Sequence, residues 1–217
     1  MTVDNDALVL DRGRCAAVVI ECQNDLIHES RIGERGIGNA LASAVRDRRL
    51  LANIARVLEA ARATGVPVLY ANKESRPGMP VGDAPIYRMS RRHPILQEDT
   101  WGAQVHEAIA PQPGDHVIRR FLSIDASYAS SLYATLRALR RDTIIAMGVS
   151  TNFAVEGTVR GAVNRHFRVI VLEDCCASAP DDMHRFSIER ILPLLATIAD
   201  SHQVAAALSA SADAPPR

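Results

Sequence analysis

Apolar positions along the chain fall into two kinds of run. Short runs rich in apolar residues lie at 16–21, 66–71, 116–119, 143–147, 168–172 and 196–198. Their length and β-branched content suit strands of a parallel sheet buried on both faces. Between them, apolar residues recur at helical spacing. Leu50, Leu51, Ile54, Val57, Leu58 and Ala61 trace one helix face closed by Gly65, and Leu132, Leu136 and Leu139 mark another. Val155, Val159, Ala162 and Val163 mark a third. Asp181 and Asp182 open a fourth, expected to carry Met183, Phe186, Ile191 and Leu192 inward, and Ser201 opens the last. A short helix is predicted near 102–110. Two stretches break the pattern: 22–44, with Gly33, Gly36 and Gly38, and 73–97, with Pro77, Pro80, Pro85 and Pro94. Both read as loops covering one end of the sheet. Strands alternating with helices predict a right-handed, doubly wound parallel sheet in a three-layer α/β/α sandwich, Rossmann-like.

In such sheets ligands bind beyond the carboxyl ends of the strands, near the point where strand order reverses. Three strand ends carry chemistry. Glu21 ends the first run, and Arg119 and Arg120 end the third. The fourth runs into Gly148 and the turn 148–158, GVSTNFAVEGT, where Asn152 can cap a helix and free backbone N–H groups would point above the sheet. Any βα turn has this general form, so an anion or carbonyl site and a plain connection both remain open on this stretch alone.

Composition narrows the partners. With 217 residues, 47% hydrophobic and 23% charged, the chain reads as one soluble domain, 15–208, with an extension 1–14 and a small, Pro-rich tail 209–217 expected to be disordered. Its 25 basic and 25 acidic side chains remove the electrostatic case for nucleic acid and favour a small-molecule partner. Cys15, Cys22, Cys175 and Cys176 have no metal-type spacing and read as reduced thiols of a cytoplasmic protein. No signal core or membrane-length apolar run is present. Neither GxGxxG nor a P-loop pattern occurs, and the seven histidines do not cluster at ligand spacing in the sequence, so neither cofactor nor metal is expected.

Three separated stretches together resemble one family. Residues 18–25, VVIECQND, resemble the V-I-D-x-Q-N-D opening of the isochorismatase-like hydrolases, the cysteine-hydrolase superfamily. Residues 110–119, APQPGDHVIR, are similar to its third strand and lead-in. The turn 148–158 and the later EDCCAS at 173–178 are similar to its G-V-x-T-N-x-C-V-E-x-T and E-D-A-C-A-S patterns. The resemblance implies a six-stranded sheet in the order 3-2-1-4-5-6, a homodimer or homotetramer, and a cis peptide at Val149-Ser150 with the Ala154 N–H facing the same cavity as Glu21. In the amidases of the family an Asp, a Lys and a Cys converge at the strand ends.

This chain departs at all three positions. Glu21 stands for the Asp, Arg119 for the Lys with Arg120 as the alternative, and Ala154 for the nucleophilic Cys. A methyl group forms no thioester, so covalent amidase chemistry is excluded unless another thiol substitutes. Members that lack the Cys hydrolyse vinyl ethers without a covalent intermediate. Glu21 as acid or base, with Arg119 as an anion clamp that gives up no proton at neutral pH, suits such chemistry. Ser150, Thr151, Asn152 and Phe153 are expected to line the substrate, with Trp101 as a wall. Each has a plain structural alternative: Glu21 paired to Arg119, Arg119 in solvent, Trp101 as packing. At the level of the protein the alternative is a ligand-binding or scaffolding pseudoenzyme. Lys73, Glu74 and Ser75 replace the metal ligands of the metal-binding members.

Overall fold

A computed structural model of the chain describes residues 8–210. Among the described residues six strands form one parallel sheet: β1 (Cys15–Ile20), β2 (Val68–Lys73), β3 (His116–Arg120), β4 (Thr143–Val149), β5 (Arg168–Ala177) and β6 (Thr197–Ala199). The order is β3-β2-β1-β4-β5-β6. The chain winds outward from β1 to β3, then returns beside β1 and winds the other way, so the carboxyl ends of β1 and β4 flank the reversal. Every residue of β1 and β4 is buried. The two-residue strand period splits their side chains between two cores: Ala17, Val19, Ile145 and Met147 to one face, Ala16, Val18, Ile144 and Ala146 to the other.

Eight helices surround the sheet among the described residues: α1 (Asn24–Ile27), α2 (Ile37–Asp47), α3 (Leu50–Ala63), α4 (Pro85–Arg92), α5 (Leu132–Ala138), α6 (Glu156–Val163), α7 (Asp181–Phe186) and α8 (Ser201–Ala210). Leu41 and Val45 of α2, Ile54, Val57 and Leu58 of α3, and Val204 and Leu208 of α8 cover the first core. Leu132 and Leu136 of α5 and Val159 and Ala162 of α6 cover the second. No helix among the described residues is long and apolar enough to cross a membrane.

Several sequence expectations are corrected. Residues 22–44 are largely helical: Ile37, Leu41 and Val45 keep a four-residue spacing, which the glycines of the preceding turn obscure. The predicted helix near 102–110 is two 3₁₀ turns, Trp101–Ala103 and Glu107–Ile109. The segment beginning at α7 turns His184, Ser187, Ile188 and Leu192 inward, while Met183 and Phe186 lie exposed. Its polar residues find buried partners, which a hydrophobicity pattern cannot register. Asn152 lies inside a π-type turn, Thr151–Val155, that precedes α6, and it provides no cap. Helix α8 runs on through Ala210, so 209–210 are helical; the expectations for 1–7 and 211–217 lie outside the described residues.

The β4–α6 turn is held from two sides. Within the sheet, Gly148 pairs with Ile20 and adopts φ +127°, a conformation that favours glycine, and a Cβ there would run into the Ile20 carbonyl oxygen. From the β5–α7 side, the Ser178 hydroxyl donates to Asn152 Oδ1 (2.7 Å) and accepts from the Asn152 N–H (3.3 Å). Thr151 Oγ1 lies 2.8 Å from His184 Nδ1, with both residues buried. Burial, reinforced by Arg48 and opposed by Asp181, pushes the His184 imidazole down to about 4 from 6.5.

Two outcomes follow from this clamp. Gly148→Ala is expected to lose more than about 4 kcal/mol in urea unfolding, the range of severe core disruption. Gly114→Ala, at φ +98° with nothing within 4 Å of the added Cβ, loses only about 1–2 kcal/mol. Equal losses would show that backbone conformation, and not the contact with Ile20, limits Gly148. For His184 the folded pKa lies below the unfolded one, so the unfolded chain binds the proton first as pH falls. Its stabilisation is complete above pH 6.5, declines down to about pH 4 and changes no further below that. Melting scans should show Tm falling by about 10 °C through that window. His184→Asn should flatten this component, and an unchanged pH profile in that variant would remove His184 from the account.

Candidate active site

Glu21 is the first residue past β1 and turns out of the strand with φ 52°. Its N–H still bonds the Ala71 carbonyl (3.2 Å), so the carboxylate leaves the sheet directly between β1 and β2. The side chain of Gln23 fixes the neighbouring backbone: its amide donates to the carbonyls of Lys73 (2.8 Å) and Ala103 (2.7 Å), and its oxygen accepts from the Lys73 N–H (2.9 Å). The partner of Glu21 is Arg120. This arginine is 1% exposed, pairs with Glu21 Oε1 and donates to the Ile124 carbonyl at 3.0 Å, while its Nε has no hydrogen-bond partner. A guanidinium so deep in the protein depends on that carboxylate, because removing one partner of a buried pair leaves an uncompensated charge.

The plain alternative of a Glu21–Arg119 pair is thereby not formed, and Arg120, the second choice for the family lysine, stands beside Glu21 instead. Ile118 packs in the core beneath α5 and α6, and Arg120, two residues on, shares its face. Arg119 projects from the opposite face, where it binds Glu74 through Nε (2.7 Å) and reaches Asp99 at 3.4 Å. The signal was available in the alternation of Ile118 and Arg120. It could be read only once the apolar residue of this edge strand was known to face the core.

A further residue was missed. Lys73 ends β2, lies opposite Arg120 in the strand register, and alternates with Leu69 and Ala71 on the α5/α6 face. It is half-buried, with its ammonium 5.8 Å from the centre of the Tyr87 ring of α4, and forms no ion pair among the described residues. Burial lowers its pKa, with nearby Glu21 opposing the shift and Arg120 adding to it. Composition held the clue: Lys73 is the only lysine among the 25 basic residues.

Ala154 lies buried in the second core, on the turn that follows β4. The Val149-Ser150 peptide is cis, as the resemblance implied, and the Ser150 carbonyl accepts from the N–H groups of Phe153 (3.1 Å) and Val155 (3.2 Å). The side chains of Thr151 and Asn152 are taken up by His184 and Ser178, so they hold the turn, whereas Phe153 is half-exposed. Trp101 stands edge-on to His28 (4.8 Å between ring centres) beneath Arg31, away from the Glu21–Arg120 pair in all its described contacts. Two clefts, of about 410 Å³ beside Glu74 and Arg119 and about 380 Å³ at the amino ends of β1, β4 and β5, border neither Glu21 nor Ala154. Neither therefore coincides with this chemistry.

All four thiols are buried. Burial raises every one, Cys15 to about 11 and Cys176 to about 12, so none is poised as a thiolate nucleophile. What meets at the ends of β1, β2 and β3 is a carboxylate, a guanidinium that cannot release its proton and an amine that can, while the turn carrying Ala154 follows β4, the strand beside β1. Such a set can move protons and bind an anion or carbonyl without a covalent intermediate.

The family model of the isochorismatase domain matches residues 15–203. The ureidoacrylate amidohydrolase RutB of Methylobacterium radiotolerans is 30% identical over 181 residues, covering 76% of this chain and 70% of the relative. A cysteine hydrolase from Pseudomonas syringae pv. phaseolicola superposes with a TM-score of 0.80 at 27% identity, over 94% of this chain and 96% of that one. The N-carbamoylsarcosine amidase of Thermoplasma acidophilum shares the fold, with a TM-score of 0.69 at 24% identity, over 87% of this chain and 96% of that one. By the match of nearly its whole length, its sheet order and its strand-end motifs, the chain belongs to the isochorismatase-like hydrolase superfamily.

Proposed function

We propose that the protein hydrolyses a small, carboxylate-bearing metabolite by a noncovalent mechanism in which Glu21 is the acid/base and water is the nucleophile. The observation that carries this reading is the Glu21 carboxylate held by Arg120 beside Lys73, in a chain whose thiols are all buried and raised. Similarity to proteins named for ureidoacrylate and N-carbamoylsarcosine favours an amide or ureido bond as the scissile group, ahead of a lactone or vinyl ether.

Arg120 takes Oε1 of Glu21 and leaves Oε2 for water. As the water oxygen bonds the carbonyl carbon, Oε2 accepts its proton, and the carbonyl π electrons move to oxygen, toward the turn at 150–154. Collapse of the adduct breaks the C–N bond, and the departing nitrogen takes a proton from the Lys73 ammonium, which is recharged from Glu21. Water is thus divided between acid and amine. Arginine is a poor substitute for lysine in this step because its proton is not released at neutral pH. Lys73 therefore supplies the mobile proton that Arg120 cannot.

Glu21→Gln is expected to lower kcat/KM about 100-fold or more on a panel of ureido acids, amides, lactones and vinyl ethers, the usual scale of general acid–base catalysis. Melting curves of the variant guard against loss through the unpaired Arg120. Activity surviving in a folded Glu21→Gln protein would refute its role, and inactivity of the wild type across the panel would favour the ligand-binding alternative.

For Lys73 the test needs no substrate. Acylation followed residue by residue in the mass spectrometer should titrate this amine below an ordinary lysine. Its titration should fall further in Glu21→Gln, because the carboxylate raises the pKa that burial lowers. An amine that titrates like free lysine, unmoved by Glu21→Gln, would take Lys73 out of the site.

A further inference from the structure

Two His-Glu dipeptides, 28–29 and 106–107, are far apart in the chain and meet on the α1 side of the sheet. They are built alike. Each histidine is the N-cap of a 3₁₀ turn whose first residue is the glutamate, Glu29–Arg31 in one case and Glu107–Ile109 in the other. Each imidazole Nδ1 faces a backbone N–H two residues on, Ser30 at 3.1 Å and Ala108 at 3.2 Å. The arrangement then crosses over: His106 Nε2 lies 3.1 Å from Glu29 Oε2, and His28 Nε2 lies 3.5 Å from Glu107 Oε1. The rings are 5.0 Å apart, inclined at 30°. One ligand atom from each of the four residues falls within 4.8 Å of all the others.

From this convergence we propose that His28, Glu29, His106 and Glu107 bind one divalent transition-metal ion, with zinc as the best fit. Tetrahedral coordination at ~2.0–2.2 Å to nitrogen and oxygen places ligand atoms about 3.3–3.5 Å apart. The two crossed His–Glu distances, 3.1 and 3.5 Å, lie within a few tenths of an ångström of that spacing, and the remaining closure is small for two exposed glutamates. Two neutral imidazoles and two carboxylates carry charge −2, which balances the ion. The imidazoles disfavour calcium and magnesium, which take oxygen ligands. In the metal-free state each Nε2 holds its proton and shares it with the carboxylate across the pair. Binding moves that proton to Nδ1, where the Ser30 hydroxyl stands ready for His28 at 2.8 Å and the second carboxylate oxygen of Glu107 lies 3.7 Å from His106. No proton need leave a neutral imidazole. The backbone bonds to Nδ1 are given up, which points to moderate, micromolar affinity.

The ion would join the turn after α1 to the turn that leads into β3. Both segments abut the site's supports, since the His106 N–H bonds the Cys22 carbonyl and the Asn24 side chain bonds the Trp101 carbonyl. None of the four side chains pairs with Glu21, Arg120 or Lys73 among the described contacts, and the site's occupancy is independent of the catalytic reading.

Titration calorimetry of chelator-treated protein with Zn²⁺ should give one site per chain, and Co²⁺ should give the visible absorption of a tetrahedral site. A His28→Ala/His106→Ala double variant should weaken Zn²⁺ binding at least 100-fold, with His93→Ala unchanged as a control. Because His106 is buried, Glu29→Gln/Glu107→Gln provides a second arm at exposed positions, expected to weaken binding at least tenfold. Absence of stoichiometric uptake by the wild type would overturn the proposal. Uptake that survives either double variant would overturn it equally.

Discussion

The close approach of β1 to β4 at Ile20 and Gly148 is the constraint on which the rest of the site depends. The two strands meet backbone to backbone there, with no room for a side chain on Gly148. Glu21 leaves one strand immediately beyond this contact and the turn toward Ala154 leaves the other. A bulkier residue would push the two strand ends apart. The Ser178–Asn152 contact and the buried His184–Thr151 contact then fix the turn's direction from the β5–α7 side.

Upon this frame rests a buried ion pair. Taking the Arg120 guanidinium out of water costs several kcal/mol, offset only by a well-placed carboxylate and carbonyl acceptors. Glu21 and the Ile124 carbonyl fill those roles. The pair fixes Glu21 in position, and a guanidinium makes a poor proton donor. Lys73, on the neighbouring strand and the same face, has a pKa lowered by its burial. On the proposed mechanism, holding Glu21 and delivering a proton fall to two side chains on adjacent strands, Arg120 and Lys73, and the methyl group of Ala154 forms no covalent intermediate.

The amino-acid sequence by itself determined the strands, most of the helices, the layer architecture, and, through spaced motifs, the family and the sheet order. Those properties follow from local periodicity and from residues whose backbone role is tied to their chemistry, as with Gly148. It also determined that no nucleophilic thiol stands at Ala154 and that a carboxylate ends the first strand. Helix α2 was obscured because the glycines that shape its leading turn mask the Ile37, Leu41 and Val45 spacing. Only the tertiary structure decided which of two adjacent arginines meets Glu21, since alternation separates Arg119 from Arg120 but the inward face of an edge strand is set by what packs on it. The same holds for Trp101, whose neighbours His28 and Arg31 come from a segment far away in the chain. It holds most strongly for His28 and His106, which have no ligand spacing in sequence and converge because parallel strands deliver distant loops to the same end of the sheet.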